Sequence, residues 1–242
     1  MSISSNLKII IPRPPKAGST STAMWLMAQD DEMTKKDTEH HETLDNYQAR
    51  GLNLKDYTII HVGRNPFKRQ VSAYEFSLLT NNHAYTPNCT VQDADFRTWY
   101  MQLTNLMLYR YDEPSPDVAW IGENRLRWDL DPVFFPQAHF TSCRHDAKHA
   151  DFVQIEQFEE YRIEKYPDSP KLGVLNAHDT REGDHYPSNS SKSYKNYELK
   201  HWSEYYTDMD IVRKIQGLYS DDFTMWGYDP NINPYTEEPW NL

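Results

Sequence analysis

Lys8-Ile9-Ile10-Ile11-Pro12-Arg13-Pro14-Pro15-Lys16-Ala17-Gly18-Ser19-Thr20-Ser21 is the stretch that decides the fold. Ile9 to Ile11 form a short β-branched run of the kind that makes a buried strand. Prolines at 12, 14 and 15 end it. From Ser21 to Gln29 the apolar residues Ala23, Leu26 and Met27 fall at helical spacing. The order is strand, glycine-containing loop, helix.

The same order recurs downstream. Tyr57-Thr58-Ile59-Ile60-His61-Val62 reads as a second strand and Gly63-Arg64-Asn65 as its exit. Pro66 suits the first turn of a helix, which runs from Phe67 to Leu79. A third strand is expected at Phe152 to Ile155, with a short helix from Phe158 to Lys165. Further helices are expected at Thr43 to Arg50, Phe96 to Tyr109 and Met209 to Tyr219. The stretch Val118 to Gln137 has no clear period, and Asn176 to Ser193 reads as a polar, mobile loop. Strands alternating with helices predict an α/β fold: one three-layer domain over 1–242, with a central, mostly parallel sheet and a P-loop-like phosphate-binding loop. Ligands in such folds sit beyond the carboxyl ends of the strands, where both loops emerge.

Composition narrows the function. The 242 residues carry a formal charge of −11 and no long basic run, so a nonspecific nucleic-acid binder is disfavoured. A small anionic ligand is not, because a local pocket can be positive on an acidic protein. No apolar stretch is long enough to cross a bilayer. Met1 to Lys8 does not read as a signal peptide, and two cysteines, Cys89 and Cys143, make no disulfide framework. The expectation is a cytoplasmic protein.

The chemistry of the first loop is that of a phosphate cradle. Gly18 permits close backbone approach, Lys16 supplies a charge, and the helix start supplies unpaired N–H groups. The lysine precedes the glycine, so this is not the G-x-x-x-x-G-K-[ST] pattern. The competing reading is a turn whose Ser and Thr cap a helix. In the second loop, Arg64 at the strand exit and Ser72 on the following helix suit a second phosphate. The competing reading there is a solvated basic helix start.

Pro15-Lys16-Ala17-Gly18-Ser19-Thr20-Ser21 resembles the 5′-phosphosulfate loop of the carbohydrate sulfotransferases. Val62-Gly63-Arg64-Asn65-Pro66-Phe67, continuing through Arg69 to Val71-Ser72-Ala73-Tyr74, is similar to their 3′-phosphate motif. Gly63 is one residue more than the usual valine-arginine step; it either shifts the strand exit or takes the place of the valine. Phe135-Pro136-Gln137, Phe152 to Glu156, and Glu204-Tyr205-Tyr206-Thr207 with Tyr219 to Phe223 and Gly227-Tyr228 are similar to middle and closing segments of that family. The resemblance implies the donor 3′-phosphoadenosine 5′-phosphosulfate (PAPS; product PAP) and transfer to a sugar hydroxyl. Lys16, Ala17, Gly18, Ser19, Thr20 and Ser21 would then hold the 5′ end, and Arg64 and Ser72 the 3′-phosphate.

Such a transfer needs a general base. Glu39-His40-His41-Glu42-Thr43 resembles the family's lysine-histidine-x-threonine segment and makes His41 the candidate, with His139, Glu39 and Glu42 in reserve. No metal is expected. His139, Cys143, His145 and His149 have metal-ligand chemistry but no standard zinc spacing. The aromatic stretch Trp120 to Phe135, with Arg125 and Arg127, is a candidate acceptor cleft. A nucleotide-dependent phosphoryl transferase and a non-catalytic nucleotide-binding protein are the rival functions.

Overall fold

The computed structural model describes residues 2–34, 41, 43–80, 95–107, 118–121, 124–127, 135–141, 146–172 and 201–241. The chain divides into two compact units. The first comprises 1–65, 137–183 and 224–228, and the second 66–136, 184–223 and 229–242.

The first unit is built on a four-stranded sheet in the order β1 (Ser2–Ser4), β2 (Ile9–Ile11), β3 (Thr58–Gly63), β6 (His149–Gln154). β2, β3 and β6 are parallel; β1 is antiparallel to β2. The alternation of the strands sets the layers. Ile9, Ile11, Ile60, Val62 and Val153 pack on one face against Trp25 and Leu26 of α1 (Ser19–Met27) and Phe158 of α5 (Phe158–Lys165). Ile10 and Ile59 point to the other face, against Leu44 of α2 (Leu44–Ala49) and Leu54 and Tyr57. This is a helix–sheet–helix stack, as expected for an α/β chain.

β1 is an unforeseen strand. Ser-Ile-Ser is too short and polar to announce itself, but Ser4 Oγ donates to Asp30 Oδ2 at 2.5 Å, fixing its end. β6 starts earlier than expected, at His149, and pairs in unbroken register with β3 through Val62↔Val153 and Gly63↔Gln154. Gly63 therefore continues the strand and takes the valine's place.

The second unit holds α3 (Pro66–Thr80), α4 (Phe96–Met107), α6 (Met209–Leu218) and two small antiparallel pairs: β4 (Val118–Ile121) with β5 (Asn124–Arg127), and β7 (Ile232–Asn233) with β8 (Glu238–Pro239). The first pair accounts for part of the stretch that had no legible period. α6 ends at Leu218, and a separate helix, α7 (Ser220–Trp226), follows it with Asp221 and Asp222 in its first turn. The core of this unit is aromatic. Tyr206 hydroxyl donates to the Phe67 carbonyl at 2.6 Å, and Tyr205 hydroxyl to Glu75 Oε1 at 2.7 Å. Arg69 is fully buried with its guanidinium over the Tyr219 ring, so it is no solvated helix start. Among the described residues, no helix is long and apolar enough to cross a membrane.

Candidate functional site

The loop between β2 and α1 holds Lys16 and Gly18 in left-handed conformations, at φ 64° and 77°. For lysine that conformation costs about 1 kcal/mol or more, which is the pattern of a residue held in place for a purpose. Gly18 is the N-cap of α1 and offers no side-chain cap. Ser19, Thr20 and Ser21 are already in the first turn, so the helix-cap reading of the hydroxyls fails. Thr22 Oγ1 instead lies 3.2 Å from the Gly18 carbonyl. The first-turn N–H groups have no acceptor within the helix, and that turn contains no acidic side chain. A Cβ on Gly18 would sit 2.6 Å from Ile155 Cδ1. Gly18 is thus required by both its dihedral angle and its neighbour.

Arg64 leaves the carboxyl end of β3, the neighbour of β2 in the sheet. Its Nη1 donates to the Lys16 carbonyl at 3.5 Å, which ties the two strand exits together. Its backbone is held by Gln137, in a single 3₁₀ turn from Gln137 to Thr141. The Arg64 N–H donates to Gln137 Oε1 and Gln137 Nε2 donates to the Arg64 carbonyl, both at 2.8 Å. Gln137 is fully buried.

The strand end before Arg64 is packed from the C-terminal side. Trp226 Nε1 donates to the His61 carbonyl at 3.0 Å, and the indole lies so close to Gly63 that a Cβ there would meet it at 2.4 Å. Gln154 Nε2 donates to the Trp226 carbonyl at 2.7 Å. Tyr228 hydroxyl lies 2.9 Å from Glu156 Oε2 and 3.2 Å from the Gly63 carbonyl. Burial and the Glu156 carboxylate push its pKa up, with Arg64 acting in the other direction. Tyr228 therefore stays neutral.

His41 is exposed, and its Nδ1 lies 2.6 Å from the Arg13 carbonyl. A carbonyl can only accept, so Nδ1 carries a proton, and in the neutral ring the lone pair is then on Nε2. That is the tautomer a general base needs. Glu39, His40 and Glu42 lie outside the described residues, as do Cys89, Cys143, His145 and the polar segment 176–193. His139 and His149 sit on different elements, a 3₁₀ turn and the first residue of β6, and His149 Nε2 is 2.8 Å from Asp151 Oδ1. Among the described residues, no cluster of metal-ligand type is present. Ser72 is buried on α3, in the second unit. The side chains of 118–121 and 124–127, where an acceptor cleft was expected, are outside the described ones.

Two strand exits, a loop with Lys16 and Gly18 in left-handed conformations, a tethered arginine and a histidine whose Nδ1 faces a carbonyl form the frame. The model of the sulfotransferase family matches residues 1–229. The chain belongs to the sulfotransferase family. No curated protein and no solved structure matches it. The match places this protein among enzymes that move a sulfuryl group from a donor to an acceptor, and it runs across both units. As a sulfotransferase it is expected to need a nucleotide donor site, and its residues fit one. Gln137 is the site residue that reasoning from motif chemistry missed. Its signal was the Phe135-Pro136-Gln137 segment, which carried resemblance without a role.

Proposed function

We propose that this protein is a PAPS-dependent sulfotransferase, a single catalytic domain over 1–242, acting on a hydroxyl of a carbohydrate or glycoconjugate. The observation that carries the reading is the tether between Arg64 and the Lys16 carbonyl, which brings the two anion-binding strand exits of the family pattern side by side. Lys16 and the amides from Ala17 to Ser21 hold the 5′ end of the donor. Arg64 holds the 3′-phosphate, and the resemblance adds the Ser72 hydroxyl. The donor supplies the sulfuryl group when bound.

His41 Nε2 accepts the proton of the acceptor hydroxyl as the oxygen attacks. The Arg13 carbonyl favours the imidazolium that results, because Nδ1–H already points at it. The Lys16 ammonium meets the negative charge that gathers on the departing oxygen. The left-handed Lys16 and Gly18 keep that charge and the first-turn N–H groups on a common target.

Calorimetry with PAP and with ATP tests the donor. Tight binding of PAP over ATP is expected; failure of PAP to bind sinks the reading, and preference for ATP supports a phosphoryl transferase instead. Transfer of labelled sulfate from PAPS to a sugar panel then separates an enzyme from a binding protein.

A further inference from the structure

The first turn of α3 carries Phe67, and the same helix carries Ser72 five residues on. Both side chains are buried. An α-helix is stiff over that span, about 7–8 Å of axis, so whatever holds Phe67 also aims Ser72. Phe67 is held from several sides. The Tyr206 hydroxyl donates to its carbonyl at 2.6 Å. Its ring centroid lies 5.6 Å from that of Tyr206, 5.3 Å from Phe223 and 4.7 Å from Trp240. Trp240 is the nearest of the three. It also meets Tyr206, at 5.3 Å. Phe67, Tyr206 and Trp240 therefore form a closed set of three rings, each edge to face with the other two, the arrangement that aromatic quadrupoles favour.

Trp240 directly follows the β7–β8 hairpin, and the hairpin has its own anchors. Asn233 is buried and its Oδ1 accepts the Tyr235 N–H at 3.0 Å, an Asx turn that fixes the bend. Gln216 Nε2 of α6 donates to the Pro230 carbonyl at 2.8 Å, and the Trp240 N–H donates to the Asn231 carbonyl at 3.2 Å. The Lys68 ammonium lies over the Tyr235 ring at 5.9 Å. The hairpin thus reaches α3 at two successive residues, Phe67 and Lys68. All of these groups belong to the second unit. The match to the sulfotransferase family ends at residue 229, so the contact is made by a segment beyond it. Nε1 of Trp240 is sealed from solvent and makes no hydrogen bond among the described residues. Trp240 therefore acts through the packing of its ring.

We propose that Trp240 is a positioning residue for the donor: the C-terminal hairpin seats its indole on Phe67, fixes the start of α3, and through the helix aims the Ser72 hydroxyl at the 3′-phosphate. A hydroxyl donating to a phosphate oxygen is sensitive to small errors in direction, because hydrogen bonds weaken steeply as they bend. The proposal rests on the PAPS reading of the same site.

The test is a double-mutant cycle on the full chain, read by calorimetry with PAP. S72A and W240A should each weaken PAP by about tenfold, the size of one hydrogen bond to a charged group. If Trp240 acts through Ser72, W240A should cost little more once Ser72 is gone. W240F keeps an aromatic ring and loses an N–H that binds nothing, so it should return most of the affinity. Initial rates should show a raised KM for PAPS in W240A, with kcat at saturation little changed. Thermal scans report whether each variant is folded at the assay temperature; where W240A is not, W240L is read by the same criteria. Unchanged PAP affinity in the folded variant, unchanged affinity in S72A, losses that simply add in the double variant, or a W240F as weak as W240A overturns the proposal. Failure of the wild type to bind PAP is a different result: it removes the donor reading, and the proposal falls with it.

Discussion

Gln137 and Arg64 join as two paired strands do: the side-chain amide of one exchanges two 2.8 Å hydrogen bonds with the backbone N–H and C=O on either side of the other's Cα. The contact fixes the direction in which the arginine leaves β3. Q137L keeps volume but strands a buried donor and acceptor, at a cost of about 2 kcal/mol or more. Q137E keeps shape and replaces the donor by an acceptor facing a carbonyl. Both should lower the thermal midpoint and weaken PAP binding by about tenfold in calorimetry, with kcat at saturating PAPS less affected than KM. An unchanged KM for PAPS in a folded Q137E would show that Arg64 needs no such brace.

Lys16 and Arg64 should separate in kinetics. K16A is expected to lower kcat by about a hundredfold or more, because the charge it meets exists only as the bond breaks. R64A is expected mainly to weaken PAP, by about tenfold to a hundredfold. Single-turnover rates and PAP titrations read the two effects apart. Intact turnover in K16A contradicts the mechanism.

Gly18 should tolerate no side chain. G18A introduces a methyl at φ 77°, where Ile155 Cδ1 is 2.6 Å away, for a combined cost of about 2–3 kcal/mol in chemical denaturation. Adding I155A relieves the clash and leaves the dihedral penalty, so the double variant should recover relative to the sum of the single changes. Simple additivity would mean that the contact with Ile155 carries no energy.

His139 gives the first unit an acid-sensitive point. Burial holds its imidazole below the ordinary value of 6.5, with Asp45 pulling weakly upward. A folded state that resists protonation contributes stability above 6.5 and loses it as pH falls from there through the depressed folded value. The denaturation midpoint of the wild type should therefore fall as pH drops below about 6.5, and H139Q should show a shallower slope. Identical slopes would clear His139 of that role.

The sequence was most informative where chemistry and periodicity are local. The Ile9–Ile11 run, the prolines after it and the glycine at 18 lie close together in sequence, and they locate the strand, the loop and the helix start together. The burial of Arg69 was hidden for the opposite reason. Its immediate neighbours in sequence, Lys68 and Gln70, are polar, but the ring that covers it, Tyr219, comes from the distant turn between α6 and α7. The break between α6 and α7 was also hidden: no proline falls between Met209 and Trp226, and the second helix starts at Ser220 inside a segment that carried only the family resemblance. Gln137 carries no chemistry of its own, so nothing but the fold reveals that its amide grips Arg64. The assignment of His41 stood on a motif, and the Arg13 carbonyl added the tautomer.

Trp226 fastens β3 from a point 165 residues beyond His61, the carbonyl it binds. A nascent chain therefore leaves the exit of β3 unfinished, and Gly63 stays uncovered until α7 has been made. Synthesis interrupted before α7 yields a product that carries both loop motifs and lacks the indole that closes on Gly63. On the proposed function, donor binding would then arrive with α7 rather than with the motif.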